Sequence, residues 1–355
     1  MSIEIRTFDG SAEQLSSFVV ETWLKSYAGK MPVPDWHARY FDWQMTGSQY
    51  ADRDYLVTAW DNGNLVGCIL GIPFPIWYFG EERQGSQGSW LTVSAEARRS
   101  GVARMMVDEL DRRQREKNCL GRIGYAYQGS KLSLGPRFWL AARKKSNHIR
   151  PVRLWARLLN SDAVRNWTNH AMERFLLKVL PNSVCSIGRV NPAHQMREYR
   201  DADLETCREL INHQAKQTDL GVLWTPERLR SQLQYEDFVN TILFEREGQV
   251  KGFINYHKLP LTLCGTISAA IIDLYHCELL NHRENVSFLN SYFLQMREEG
   301  VKIILLREFA AQPTRALLQT RFVPQANEST LLFSRSDSQT PSSEQKVRRF
   351  QVLWR

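Results

Sequence analysis

Residues 89–107 read Ser89-Trp90-Leu91-Thr92-Val93-Ser94-Ala95-Glu96-Ala97-Arg98-Arg99-Ser100-Gly101-Val102-Ala103-Arg104-Met105-Met106-Val107. The first five carry the aromatic and β-branched residues of a strand. From Val102 onward, Val102, Met105, Met106 and Leu110 recur at helical spacing. The strand therefore ends, the chain turns tightly, and a helix over residues 101–117 begins at Ser100 or Gly101. A helix start leaves N–H groups without partners and carries a partial positive charge. Gly101 takes away the side chain where an anion would approach the backbone, and Arg98, Arg99 and Arg104 add full charge. Together these features predict a cradle for a pyrophosphate.

Outward from this stretch, strand and helix signals alternate. Ile3 to Thr7 alternate in polarity as a strand. Ser11 is placed to cap a helix reaching Tyr27, with Leu15, Phe18, Val19, Thr22 and Trp23 on one stripe. Asp35 is placed to cap a short second helix holding Trp36, Tyr40, Phe41 and Trp43. Strands 55–60 and 65–73 flank Asp61-Asn62-Gly63-Asn64, where Asn and Gly accept the positive φ of a hairpin turn. Strand 87–93, the helix at 101–117 and strand 122–127 follow. After Asn191 the order returns: strand 195–199, helix 201–217, a helix opening on Thr225-Pro226, strands 241–245 and 250–258 around Glu247-Gly248, strand 269–277, helix 286–298, and strands 303–306 and 330–334. One hairpin-containing α/β plan thus occurs twice, a long-period duplication. The expected division is a first domain over 1–150, a helical connection over 151–190, a second domain over 191–335, and a tail over 336–355. That tail is rich in Ser, Thr, Gln and Pro but turns apolar again from Phe350 to Trp354.

The pattern Arg-x-x-Gly-x-Ala after a Leu-x-Val strand, spelled Arg98-Arg99-Ser100-Gly101-Val102-Ala103, resembles the acetyl-CoA signature of the GNAT acyltransferase superfamily. The order of strand, two helices, hairpin, signature strand, helix and strand is similar too. The tandem layout resembles the N-myristoyltransferases over most of the chain at low identity, with His148-Ile149-Arg150-Pro151-Val152-Arg153-Leu154 and residues 253–260 followed by 271–275 as further points of likeness. The resemblance implies an α/β (α+β) fold of two tandem GNAT-like domains, each a mixed, mostly antiparallel sheet flanked by helices. It implies an acyl-CoA-dependent N-acyltransferase that moves an acetyl or longer acyl group from CoA to an amine, borne by a small molecule, an amino acid or a peptide N-terminus. Backbone N–H groups at Trp90 and Leu91 would form the oxyanion hole. Leu91, Thr92 and Val93 would lie along the pantetheine arm. Arg98, Arg99, Ser100, Gly101, Val102, Ala103 and Arg104 would surround the pyrophosphate. The second half has His276-Cys277-Glu278-Leu279 where a cradle would stand, and is expected to shape the acceptor site.

Amine attack on a thioester needs a proton acceptor, and the departing thiolate needs a donor. Tyr127, on the strand with Tyr125, is the candidate donor; the family's later tyrosine is replaced around Phe138-Trp139. Position offers Glu21, Asp273 and His276 as proton acceptors. N-myristoyltransferases use their own C-terminal carboxylate, a role that carries over to Arg355. This sequence departs from theirs in placing a basic residue last.

Composition bounds these readings. The chain has 355 residues, 43% hydrophobic and 24% charged, the profile of a folded protein long enough for two domains. It holds no run of eighteen apolar residues, so no membrane span is expected. Six cysteines form no Cys-x-x-Cys pair and meet no histidine cluster. Buried thiols of a cytoplasmic protein are expected, and no metal. The net charge of +8 is concentrated: residues 98–157 hold 16 Lys+Arg against 4 Asp+Glu, or +12, leaving −4 elsewhere. Such a run suits an anionic partner. CoA is one. Charged tRNA, in an aminoacyl-tRNA-dependent transferase, is a second. A nucleic acid bound by a non-catalytic, CoA-sensing or nucleic-acid-binding regulator is a third. The intact cradle argues against tRNA, and no nucleic-acid module is visible.

Overall fold

The structure, a computed structural model, describes residues 2–47, 53–127, 138, 147–325, 329–336 and 346–353. Its elements fall into two sheets flanked by helices. The first half contributes β1 (Ile3–Thr7), β2 (Val33–Pro34), β3 (Leu56–Asp61), β4 (Asn64–Tyr78), β5 (Glu81–Val93), β6 (Gly121–Tyr127), β7 (Asn147–Val152) and β8 (Leu154–Leu158). The second contributes β9 (Gln195–Glu198), β10 (Leu220–Val222), β11 (Val239–Arg246), β12 (Gln249–Thr262), β13 (Thr266–His276), β14 (Ile303–Arg307), β15 (Val323–Pro324), β16 (Ser329–Arg335) and β17 (Phe350–Gln351). The helices used below are α1 (Ala12–Tyr27), α2 (Ala38–Phe41), α3 (Val102–Glu116), α4 (Ser161–Trp167), α5 (Ala171–Val179), α6 (Leu204–Lys216), α7 (Pro226–Leu233) and α8 (His282–Glu298).

Local chemistry explains several boundaries. Ser11 caps α1 by accepting from Gln14 N, and Thr225 caps α7 with Pro226 behind it. Asn62 (φ 49°) and Gly63 (φ 80°) make the turn between β3 and β4. The short second helix departs from expectation. His37, not Asp35, caps α2, its Nδ1 accepting from Tyr40 N at 3.2 Å. The helix then widens into a π-helical turn over Asp42–Thr46.

Each sheet repeats one plan. The first runs β1-β3-β4-β5-β6-β16-β7 and the second β15-β8-β14-β13-β12-β11-β9. The pairs β5–β6 and β13–β14 are parallel; most others are antiparallel. The strand inserted beside the last parallel strand comes, in both sheets, from the other half of the chain. β16 pairs with β6 and β7, and β8 pairs with β14 and β15. The overhanging ends of the long hairpins are filled across the halves too, with β10 against β4 and β2 against β12.

The expected boundaries therefore divide the sequence but not the sheets. The span 151–190 is not simply helical: it opens with β8 before α4 and α5. The span 336–355 is not simply a tail, because Phe350 and Gln351 pair in parallel with Leu220 and Gly221. One core cluster joins Phe8, Trp43 and Trp90 to Trp224, Phe253 and Leu353. Among the described residues no helix is long and apolar enough to cross a membrane.

A fragment 1–150 lacks β16, and a fragment 151–355 lacks β2 and the first-half core. Each is expected to show no cooperative thermal transition by circular dichroism alone, whereas co-expression of both restores one. A sharp transition from either fragment by itself would contradict the exchanged-strand account.

Candidate active site

The parallel contact between β5 and β6 is brief. Only Ser86–Arg122 and Gln87–Ile123 are in register, after which the strands part. The split is built by packing. A Cβ on Gly88 would lie 2.4 Å from Arg122 Cδ, so glycine there lets the Arg122 side chain cross the strand. That guanidinium is buried and lies 3.2 Å from Asp111. β6 still abuts Gly88, whose carbonyl oxygen would lie 3.0 Å from a Cβ on Gly124, and beyond it residues 89–93 of β5 have no ladder partner on the β6 side, as an extended pantetheine-like arm would need.

On the other edge of β5 the ladder with β4 skips. Cys68 faces Thr92 and Leu70 faces Ser89, so Trp90 and Leu91 together oppose Ile69. The bulge holds Trp90 at φ 55°, a left-handed conformation that costs a non-glycine residue roughly 1–2 kcal/mol. Its ring offsets this. It is 7% exposed and meets Trp36, Phe41 and Tyr40 edge-on at 5.9, 5.7 and 5.9 Å. Each such contact is worth about 0.5–1.5 kcal/mol. Leu91 and Val93 are half-exposed, while Thr92 is buried and accepts from Trp23 Nε1 at 3.0 Å.

The cradle follows. Gly101 stands at the cap position of α3 with φ 87°, and no side chain caps that helix start. A Cβ there would meet nothing within 4 Å. Glycine is needed for its conformation, and the space beside it is open. Arg99, also left-handed at φ 68°, and Ser100 are exposed, and Arg104 faces solvent 3.9 Å from Asp108. Arg98 is turned inward instead: its Nε donates to Val93 O and its Nη2 to Ser26 Oγ. It fastens the loop to α1. The equivalent helix start in the second half is closed. Asn281 and Glu284 form a capping box on α8, and Glu284 is paired with Arg246 at 3.0 Å. Two like helices thus present one open and one sealed N-terminus.

Residues 18–131 match the family model described as the acetyltransferase (GNAT) family. The first half carries a GNAT domain. Among solved structures, the chain resembles Saccharomyces cerevisiae N-myristoyltransferase with bound myristoyl-CoA. One such structure has a TM-score of 0.74 and 14% identity, covering 100% of this chain and 89% of that one. Another has a TM-score of 0.73 and 14% identity, covering 100% and 85%. A GCN5-related N-acetyltransferase from Anabaena variabilis aligns with a TM-score of 0.56 and 12% identity, covering 93% and 72%. At these identities the likeness establishes the fold: tandem GNAT-like units in a mixed, mostly antiparallel α/β arrangement. No curated protein matches the sequence.

The acid–base candidates scatter around the GNAT domain. Glu21 points to solvent and pairs with Lys25 at 3.6 Å. Tyr127 ends β6 opposite Ser329, its side chain lying outside the described residues. Trp139 and Arg355 lie outside them too. The chain leading to Arg355 is nevertheless anchored: Leu353 is buried, and its carbonyl accepts from Gln87 Nε2 at 2.7 Å, three residues before Trp90. His276 bonds to Gln214 Oε1 at 2.8 Å, and Gln214 Nε2 donates to Gln351 Oε1. Asp273 is buried against His257, at 2.6 Å. Sequence reading missed His257, Gln87 and Gln351. The available signal for His257 was hairpin register, since a turn pairing Thr262 with Thr266 sets His257 against Ile271, diagonal to Asp273.

Among the described residues, much of the basic run is paired internally. Arg112 and Arg113 pair with Glu109, Arg150 with Glu308, and buried Arg157 donates to the carbonyls of Leu158, Val184 and Ser186. Among the described residues no group of three or more metal-ligating side chains occurs. All six cysteines are free thiols.

Gly101→Ala is expected to lower stability by about 1 kcal/mol in urea unfolding, from the left-handed φ alone, and to weaken CoA binding in titration calorimetry further. Burial, and secondarily His213, pulls the His276 pKa down from 6.5 to about 4. Between those values the unfolded chain binds more protons than the fold. Stability from this group is therefore complete above pH 6.5 and falls toward pH 4, by up to about 1.4 kcal/mol per unit. His276→Gln should flatten that part of the pH–stability curve.

Proposed function

We propose that the protein is an N-acyltransferase that takes its acyl group, acetyl or longer, from CoA and delivers it to an amine. The observation that carries this reading is the left-handed bulge at Trp90–Leu91, set on an open strand edge immediately before an uncapped helix start at Gly101. A bulge frees backbone N–H groups from the ladder, and two such groups aimed at one point stabilise the oxyanion formed when an amine adds to a thioester. In this reading Leu91, Thr92 and Val93 line the pantetheine arm. Arg99, Ser100, Gly101, Val102, Ala103 and Arg104 hold the pyrophosphate, with Arg98 shaping their loop. Tyr127 returns a proton to the CoA thiolate. The sealed α8 supports assigning the second half to the acceptor, since its helix start is already filled by Glu284.

The open cradle favours CoA over charged tRNA.

Thermal shift with acetyl-CoA, tetradecanoyl-CoA and RNA tests the donor, because a ligand raises the melting temperature in proportion to its binding. Stabilisation by a CoA ester is expected. Stabilisation by RNA and by no CoA ester would overturn the reading.

A further inference from the structure

A buried histidine–aspartate pair on the second sheet, packed against first-half aromatic rings, is left unused by the chemistry above. His257 lies on β12. Asp273 is the extra residue at a skip in the β12–β13 ladder, where Asn255 faces Leu274 and Tyr256 faces Ile272. That skip is the second sheet's counterpart of the Trp90–Leu91 bulge, with a carboxylate in place of an oxyanion hole. The Nδ1–Oδ2 distance is 2.6 Å and the side chains are 2% and 0% exposed. A carboxylate is costly to bury unless fully paired. Here Asp273 Oδ1 and His257 Nε2 both lack a hydrogen-bond partner.

The surroundings come from the first half. The rings of Tyr40 and Trp43 lie 5.5 and 5.3 Å from the imidazole, and Tyr40 is also 5.9 Å from Trp90. One ring therefore separates His257 from the bulge residue. Trp90 Nε1 has no partner either, and Gln44, one turn beyond Tyr40, is fully buried with both amide atoms unpartnered. Buried polar atoms are nearly always bonded, so this set calls for a ligand that completes it. With Nδ1–H donating to Asp273, Nε2 presents a bare lone pair. Imidazole and carboxylate together carry one negative charge, and aromatic faces attract cations. All three features suit an ammonium group.

We propose that His257 and Asp273 form the acceptor's ammonium subsite, with His257 Nε2 taking the proton that frees the amine. This rests on the N-acyltransferase reading. The ammonium N–H bond breaks and its proton moves to Nε2, leaving a lone pair on nitrogen. The amine adds to the thioester carbon, and the C–S bond breaks with its electrons on sulfur. A second proton from nitrogen ends on the thiolate, and the imidazolium returns its proton to solvent. Asp273 is a positioning residue that fixes the tautomer. Among the described residues, the other ionisable groups around the pair are Tyr40, half-buried His37, which senses His257, Arg39, Asp35 and Glu236 beside His37, and Tyr292 on α8, which senses Asp273.

The test compares wild type, His257→Asn and Asp273→Asn, using acetyl-CoA and tetradecanoyl-CoA as donors and triglycine, free lysine and spermidine as acceptors. Asparagine at 257 keeps a donor toward Asp273 and removes Nε2. His257→Asn is expected to lose about a hundredfold in kcat/KM for the amine at pH 7, with the thermal shift by the CoA ester unchanged. With triglycine the deficit should close to within about threefold near pH 10, where its α-amine is already neutral. Asp273→Asn should show the same pH signature with a loss of about tenfold. Full activity in His257→Asn, or a deficit equal at every pH, overturns the proposal and leaves the transferase reading standing. No turnover of any CoA ester by wild type with any of these amines overturns both.

Discussion

Strand β16 hydrogen-bonds to β6 on one side and β7 on the other, while β8 does the same between β14 and β15. Each half thus completes the other's sheet, and everything else in the molecule follows from that constraint. Because β6 is held from its far side by β16, its near side can leave β5 after two residue pairs without unravelling. The split that opens the β5 edge is stable because a strand from the other half supports it. The same exchange draws residues 31–47 of the first half onto β12, so the aromatic wall between Trp90 and His257 is assembled from both halves at once.

Duplicated architecture has been put to unlike uses. Both units have a ladder skip on the strand before their long helix. In one, Trp90 turns left-handed and exposes backbone; in the other, Asp273 turns a carboxylate inward. Both units have a helix start aimed past that skip. One is left uncapped by Gly101, while the other is filled by Asn281 and Glu284. A filled helix start has fewer orphan donors left for an anion, so the two starts differ by their capping residues rather than by a change of fold.

What could be read in the sequence was what short-range chemistry decides. Ser11 and Thr225-Pro226 cap helices through their own next few residues, and Asn62-Gly63 turn by their own φ preferences. The uncapped helix start was legible for the same reason, since Gly101 and the apolar spacing of α3 lie within a few residues of each other. The exchanged and added strands were not. β2, β10 and β17 are two or three residues long and exist only because a distant overhang pairs with them. His37 replaced Asp35 as the α2 cap because packing against Phe238 and the second half set where the turn begins. Arg98 looked like a phosphate ligand by motif, but the position of Ser26, seventy-two residues earlier, drew it inward. The partner of Asp273 depended on a ladder irregularity that no local pattern announces.

The exchange also bears on how such a chain emerges during synthesis. When residues 1–127 have formed, β6 presents an unpaired edge, and the strand that covers it is about two hundred residues away in sequence. Contacts of that separation form slowly, and an uncovered strand edge is a template for pairing with other chains. The first half must therefore wait, partly open, for nearly the whole of the second to be made. Its growing chain is a natural client for a chaperone that shields strand edges until β16 arrives.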